Sequence, residues 1–165
     1  MKKSAIISEC GDYRQRLDRE VQATGIVIAY FGVNPSTANG EDEDATTGKW
    51  FGFSLRNNAR AYIAGNAHDY RATDVRKLAQ VAKPISDQND FYLRQIIAEA
   101  DILVPCWGSR DKLPKELHTN LYKLKCMLFE SGKPVKIFGL TKSGDPKHPL
   151  MLGYATPLVE WRAEG

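Results

Sequence analysis

The sequence predicts an α/β fold: a three-layer sandwich whose helices cover both faces of a four-stranded, mostly parallel central sheet, with an extra N-terminal edge strand as an addition. Three observations predict it. Apolar runs with no polar face each precede a segment of helical periodicity, as strands buried on both sides and their crossover helices do. The length, 165 residues, is that of one domain spanning 1–165, and the 42% hydrophobic content is enough for one core. No internal repeat or low-complexity linker divides the chain.

The first central strand is the run from Gly25 to Val33, β-branched and apolar on both alternating faces. It stops at Asn34-Pro35-Ser36-Thr37, where proline ends the ladder and small polar residues make a turn. From Thr46 to Arg60 a helix is expected, with Thr46 as its cap and Trp50, Phe51, Ser54, Leu55 and Asn58 on one face. Residues 61–64 form a short second strand ending at Gly65-Asn66. Asp87 to Asp90 supply caps for a helix whose Leu93, Ile96, Ile97 and Ala100 share a face. Residues 102–107 make the third strand, with Pro105 marking a bulge or strand end and Gly108 closing it. Pro114 suits the first turn of the next helix, where Leu117, Leu121, Leu124 and Leu128 form the buried stripe and Gly132 is the stop. Residues 134–140 are the fourth strand. Residues 13–21 offer the added edge strand, pairing with residues 25–33.

Composition bounds the function classes. The longest apolar stretch, Ile26 to Val33, is about half of what a membrane span needs, so no membrane partner is expected. Met1-Lys2-Lys3 starts like a signal peptide, but the apolar region that should follow is missing. Cys10, Cys106 and Cys126 are odd in number and far apart, which suits a reducing cytoplasm, the expected location. With no CxxC or HxxxH spacing among Cys and His, a structural zinc site is not expected, and no metal or cofactor is assigned. A net charge of +3 neither announces nor excludes a nucleic-acid partner.

In parallel α/β sheets, ligands bind beyond the carboxyl ends of the strands. The unusual polar motifs follow the strands one by one: residues 34–37, Asn66, Trp107 to Ser109, then Thr141 to His148. They are expected to meet at one rim. The set NPSTA (34–38), RATD (71–74), ND (89–90), WG (107–108) and LTKSGDPKHPL (140–150) resembles a bacterial and phage family catalogued as a domain of unknown function, from about Tyr13 to Trp161. More distantly, GVNPS after one strand, NA after the next, WGS after the third and HP after the fourth are similar to the uracil-DNA glycosylase superfamily. The 114 residues between Asn34 and His148 suit that layout.

The resemblance implies that Asn34 positions the attacking water, Asn66 reads the base edge and His148 donates to the leaving base. Pro35, Ser36, Arg71, Trp107, Lys142 and Lys147 join Asn66 as expected substrate-binding residues. The chemistry suits these types. Breaking an N-glycosidic bond leaves an oxocarbenium-like sugar and an anionic base, so a fixed donor at the base stabilises charge where it develops. A neutral amide orients water without deprotonating it, and it offers a donor and an acceptor to a base edge. Each residue has a plainer reading. Asn34 before proline is a turn residue, Asn66 caps a strand end, and a lone loop histidine is solvated. Trp107 stacks on a base or packs in the core. Arg71 binds phosphate or pairs with Asp74 to hold its loop. His68 and His118 have no supporting motif and are read as structural.

Two departures from the glycosylase pattern stand out: Leu150 replaces the serine that usually follows His-Pro, and residues 36–40 lack the aromatic of the uracil enzymes. The acidic run Glu41-Asp42-Glu43-Asp44 reads as a solvated loop, or as a Mg²⁺ holder or duplex repellent. Residues 105–150 carry 9 basic and 4 acidic side chains, against 13 and 14 in residues 1–104, so positive charge gathers around His148. Three functions are weighed. The leading one is a glycosylase-like hydrolase acting on a base in DNA or a nucleotide, with a nucleotide or single strand favoured over duplex. The alternative is a non-catalytic module binding a modified base or nucleotide. A metal-dependent phosphohydrolase, resting on residues 41–44 and Asp74, comes third.

Overall fold

A computed structural model describes residues 2–162. Its main sheet has five strands: β1 (Lys3–Ile7), β2 (Arg14–Glu20), β3 (Ile26–Gly32), β4 (Ala59–Asn66) and β5 (Ile102–Pro105), in the order β1-β2-β4-β3-β5. The sheet is mixed. β3 runs parallel to β4 and to β5, whereas β2 is antiparallel to β4 and β1 antiparallel to β2. Around it lie α1 (Ala45–Arg56), α2 (Val75–Gln80), α3 (Asn89–Glu99) and α4 (His118–Glu130). Among the described residues no helix is long and apolar enough to cross a membrane.

Alternation along β3 sends its side chains into two cores. Val27, Ala29 and Phe31 meet Leu93, Ile96 and Ile97 of α3 and Leu121, Leu124 and Leu128 of α4. Ile28 and Tyr30 meet Trp50 and Phe53 of α1, with Tyr62 and Val104 beside them. Tyr30 stacks on Trp50 at 5.5 Å between centroids and shares a hydrogen bond with Ser54 Oγ (2.9 Å), so this buried phenol stays satisfied.

The structure corrects the expected sheet in three places. The N-terminal strand joins β4, not residues 25–33, because both edges of β3 are already taken by parallel partners. Beyond it lies β1, which sequence patterning did not reveal. The expected fourth parallel strand shrinks to one parallel bridge, Leu103 to Val135; the next residues, β6 (Lys136–Ile137), pair antiparallel with β7 (Val159–Glu160) instead. Gly139, at φ 115°, then turns the chain out of extended pairing. Pro105 is tolerated because β5 is the edge of its sheet.

Helix boundaries shift for local reasons. Asp44, not Thr46, caps α1: its carboxylate accepts from the Thr47 N–H (2.9 Å), and Thr47 Oγ1 accepts from the Asp44 N–H (2.9 Å). The helix stops at Arg56 because Asn58 adopts φ 59°. α3 begins after Gln88, which makes no capping bond, and Asn89 turns inward to donate to the Asn66 carbonyl (3.0 Å). Pro114 opens a separate 3₁₀ turn, Lys115–Leu117, that precedes α4.

His68 ties the end of β3 to α4. Its Nδ1–H donates to the Val33 carbonyl (2.9 Å), and its Nε2 accepts from Asn120 Nδ2 (3.2 Å), which fixes the neutral form. The ring is fully buried, and burial lowers its pKa below the ordinary 6.5. A depressed histidine contributes stability above its unfolded pKa that is lost as pH falls, at about 1.4 kcal/mol per unit of depression. Urea denaturation between about pH 7 and pH 5 should therefore show falling stability. In His68→Gln the baseline should be lower and the acid slope shallower; an unchanged slope would assign it to other groups.

Candidate functional site

Beyond the carboxyl end of β3 lies a cleft of about 580 Å³. Its walls are the turn from Gly32 to Ser36, the first turns of α1, the segment Trp107 to Ser109 after β5, and the turn around His148. Parallel pairing is what brings the first and third of these together. The fourth is held by backbone. The Gly108 N–H donates to the Pro146 carbonyl (2.8 Å), and a Cβ on Gly108, whose φ is 82°, would sit 3.5 Å from His148 Cβ.

The loop carrying His148 is a tight hairpin. The Thr141 N–H donates to the Asp145 carbonyl (2.8 Å) and the Lys147 N–H to the Gly139 carbonyl (3.0 Å). Asp145, 8% exposed, accepts from the Arg110 N–H (2.9 Å) and Ser143 Oγ (2.7 Å), clamping the loop to the chain after β5.

Backbone contacts define the state of both expected catalytic side chains. His148 Nδ1 accepts the Leu150 N–H (3.1 Å), so the proton of the neutral ring sits on Nε2. Crowding by neighbours lowers the pKa of this rim residue, against the pull of Asp44, and favours that neutral form. The Asn34 Nδ2 group donates to the carbonyls of Ala72 (2.7 Å) and Pro35 (3.0 Å). Two carbonyl partners settle the amide's orientation and leave Oδ1 as a free acceptor.

The other expected residues divide. Pro35, Ser36, Trp107 and Lys147 line the same cleft as Asn34 and His148. Trp107 does so while 6% exposed and packed in the core, as its packing reading expects. Asn66 does not line it. Its side chain is buried behind Gly32, where a Cβ would come within 2.9 Å of Asn66 Oδ1, and its Nδ2 has no partner. Lys142 is exposed and outside the cleft. Arg71 lies in a shallow neighbouring hollow, donating to the carbonyls of Ser36 (3.3 Å), Thr37 (3.4 Å) and Gly11 (3.4 Å). It does not pair with Asp74, which caps α2 and pairs with Arg76.

Sequence reasoning missed three charged residues of the cleft, Arg14, Asp44 and Lys112. The acidic run is not a bare solvated loop. Glu43 pairs with Arg19 and, at 3.5 Å, with Lys3. Burial alone would raise the Asp44 pKa, but hydrogen bonds from the Thr47 backbone and Ser36 Oγ outweigh it and keep the carboxylate ionised. An aspartate three residues before Thr47, at the start of a helical pattern, was the available signal for Asp44. The charged string Arg14-Gln-Arg-Leu-Asp-Arg19 inside a strand was the signal for Arg14.

A family model described as "Protein of unknown function (DUF1643)" matches residues 14–150, and the chain belongs to that family. No curated protein and no solved structure matches it. The matched span opens at Arg14 and closes two residues after His148, so it contains every lining residue of the cleft except Met151 and Leu152.

Replacing Asp145 by alanine strips acceptors from the Arg110 N–H and Ser143 Oγ, which should cost about 1–3 kcal/mol. Urea denaturation measures the loss, and faster hydrogen exchange at the Arg110 amide should accompany it. Unchanged stability and exchange would show that the hairpin holds without this clamp.

Proposed function

We propose that this member of the DUF1643 family is a hydrolase of the N-glycosidase type, cleaving the bond between a base and its sugar in a nucleotide or in nucleic acid. The observation that carries this reading is the pairing, on one cleft, of an amide oxygen free to accept and an imidazole N–H free to donate. Asn34 Oδ1 orients a water against the sugar carbon. The C–N bond breaks with its electron pair going to the base, the water oxygen bonds to the sugar carbon, and the released proton neutralises the departing base. His148 Nε2–H stabilises the charge on the base as it develops. Ionised Asp44, hydrogen-bonded to Ser36 beside the Asn34 turn, offsets the positive charge of the sugar.

The uracil-DNA glycosylase resemblance belongs to this reading. β4, β3, β5 and the Val135 bridge give four parallel segments in that spatial order, with the asparagine motif after β3 and His-Pro after the last. On this view β1 and β2 are antiparallel additions. Leu150 lacks the serine hydroxyl of the resemblance, but its backbone N–H is what sets the His148 tautomer. The base-reading role falls to groups lining the cleft rather than to the Asn66 amide, which backs it.

The test is incubation with modified-base oligonucleotides and nucleotides, with released base read by mass spectrometry. His148→Ala and Asn34→Ala should each lower release about a hundredfold while the protein stays folded. Wild-type rates in both, or binding without release by the wild type, would overturn the hydrolase; the second outcome would leave a base-binding module. Release should persist above the depressed His148 pKa and fall as acid protonates Nδ1 and breaks the Leu150 contact. A nucleotide or short single strand should bind better than duplex, with a shallow salt slope, because one cleft meets few phosphates. A steep slope on duplex would overturn that preference.

A further inference from the structure

β2 carries three arginines, all nearly buried: Arg14 at 3% exposure, Arg16 at 9% and Arg19 at 2%. Two are fully provided for. Arg16 is held by Asp18, Glu99 and Gln95, and Arg19 by Glu43 and the carbonyls of Ser4, Asp18, Asn39 and Asp42. Arg14 is not. Its Nη1 donates to the Ala38 carbonyl (2.7 Å), its buried Nε has no partner, and among the described residues no carboxylate lies within ion-pair distance. Burial pushes its pKa down to about 10, against the pull of Asp44, which lines the same cleft without reaching ion-pair distance. Burying a cation with so few partners is strongly unfavourable unless something else completes the pairing.

The fold also spends a β-bulge on aiming it. β1 pairs Ile6 with Arg16 but Ile7 with Arg14, so Gln15 is the extra residue. Simple alternation would put Arg14 and Arg16 on one face. Instead Arg16 meets α3, while Arg14 reaches Ala38 in the core beneath α1 and enters the cleft. Of the four charged side chains that line the cleft besides His148, Arg14, Lys112 and Lys147 are cationic and Asp44 alone is anionic.

We infer that Arg14 forms an anion subsite of this cleft and takes the terminal phosphate of a nucleoside monophosphate. The subsite stands on the cleft itself; assigning its anion to a nucleotide rests on the glycosidase reading. A phosphate offers the planar guanidinium a bidentate partner. A guanidinium this deeply buried suits a phosphate monoester at a chain end better than a diester in a continuing strand.

Calorimetric titration and thermal shift of the full chain test it, with inorganic phosphate, ribose 5-phosphate, ribose, and a dinucleotide lacking a terminal phosphate. The wild type should bind the first two more tightly than either of the others. Arg14→Met and Arg14→Gln should weaken ribose 5-phosphate about tenfold to a hundredfold. Both should melt, unliganded, no lower than the wild type, because a poorly paired buried cation is removed; Gln also keeps a donor for Ala38 should Met fold poorly. No binding of ribose 5-phosphate by the wild type, or equal binding by Arg14→Gln, would overturn the subsite. A dinucleotide competing as well as ribose 5-phosphate would overturn the terminal phosphate. The two readings fail separately. Arg14-dependent phosphate binding without any base release sinks the glycosidase and keeps the subsite; base release from nucleosides and nucleotides alike, indifferent to Arg14→Gln, does the reverse.

Discussion

β3 is the strand paired in parallel on both sides, and that pairing positions the rest. A parallel neighbour ends where β3 ends, so β4 and β5 deliver their following segments to one rim: Ala67 and His68 on one side, Cys106 to Ser109 on the other. Hydrogen bonds past the strand ends lock this arrangement. Ala67 and His68 donate to the carbonyls of Gly32 and Val33, and Cys106 donates to that of Phe31. The turn carrying Asn34 therefore leaves a backbone fixed from both flanks. The hairpin of Asp145 then meets the same end of the sheet through Gly108, with His148 next to it.

Electrostatics in the cleft follow from partial burial. Asp44 is kept charged by hydrogen bonds that also cap α1, so one carboxylate serves helix formation and the field of the cleft together. Crowding lowers the His148 pKa, and the backbone selects its tautomer. Arg14 is the costly member, because its desolvation is only partly offset. Two well-paired arginines on the same strand show that the fold can satisfy such groups when nothing else requires them free.

Much of this was legible in the chain. The run from Gly25 to Val33, the leucine stripe of α4 and the rim position of the Asn34 and His148 motifs follow from periodicity and strand-end logic. What escaped was set by tertiary pairing. β1 is short and amphipathic, so its existence depends on β2 offering an edge. Residues 134–140 read as the fourth strand of the main sheet, yet Lys136 and Ile137 pair with β7, a partner over twenty residues away. The burial of Arg14 escaped because alternation does not reveal a bulge. Asn66 sits at the expected strand end, but the absence of a side chain on Gly32 lets its amide tuck behind the backbone instead of facing the cleft.

The central claim is that water attacks the sugar carbon of a nucleotide in this cleft. Turnover of nucleoside monophosphates in oxygen-18 water tests it most directly, with all products weighed by mass spectrometry at early times, before the free anomeric oxygen exchanges with solvent. The account predicts an unlabelled free base and a sugar phosphate carrying the heavy oxygen at the anomeric carbon. Label in inorganic phosphate with the glycosidic bond intact would contradict it and identify a phosphohydrolase.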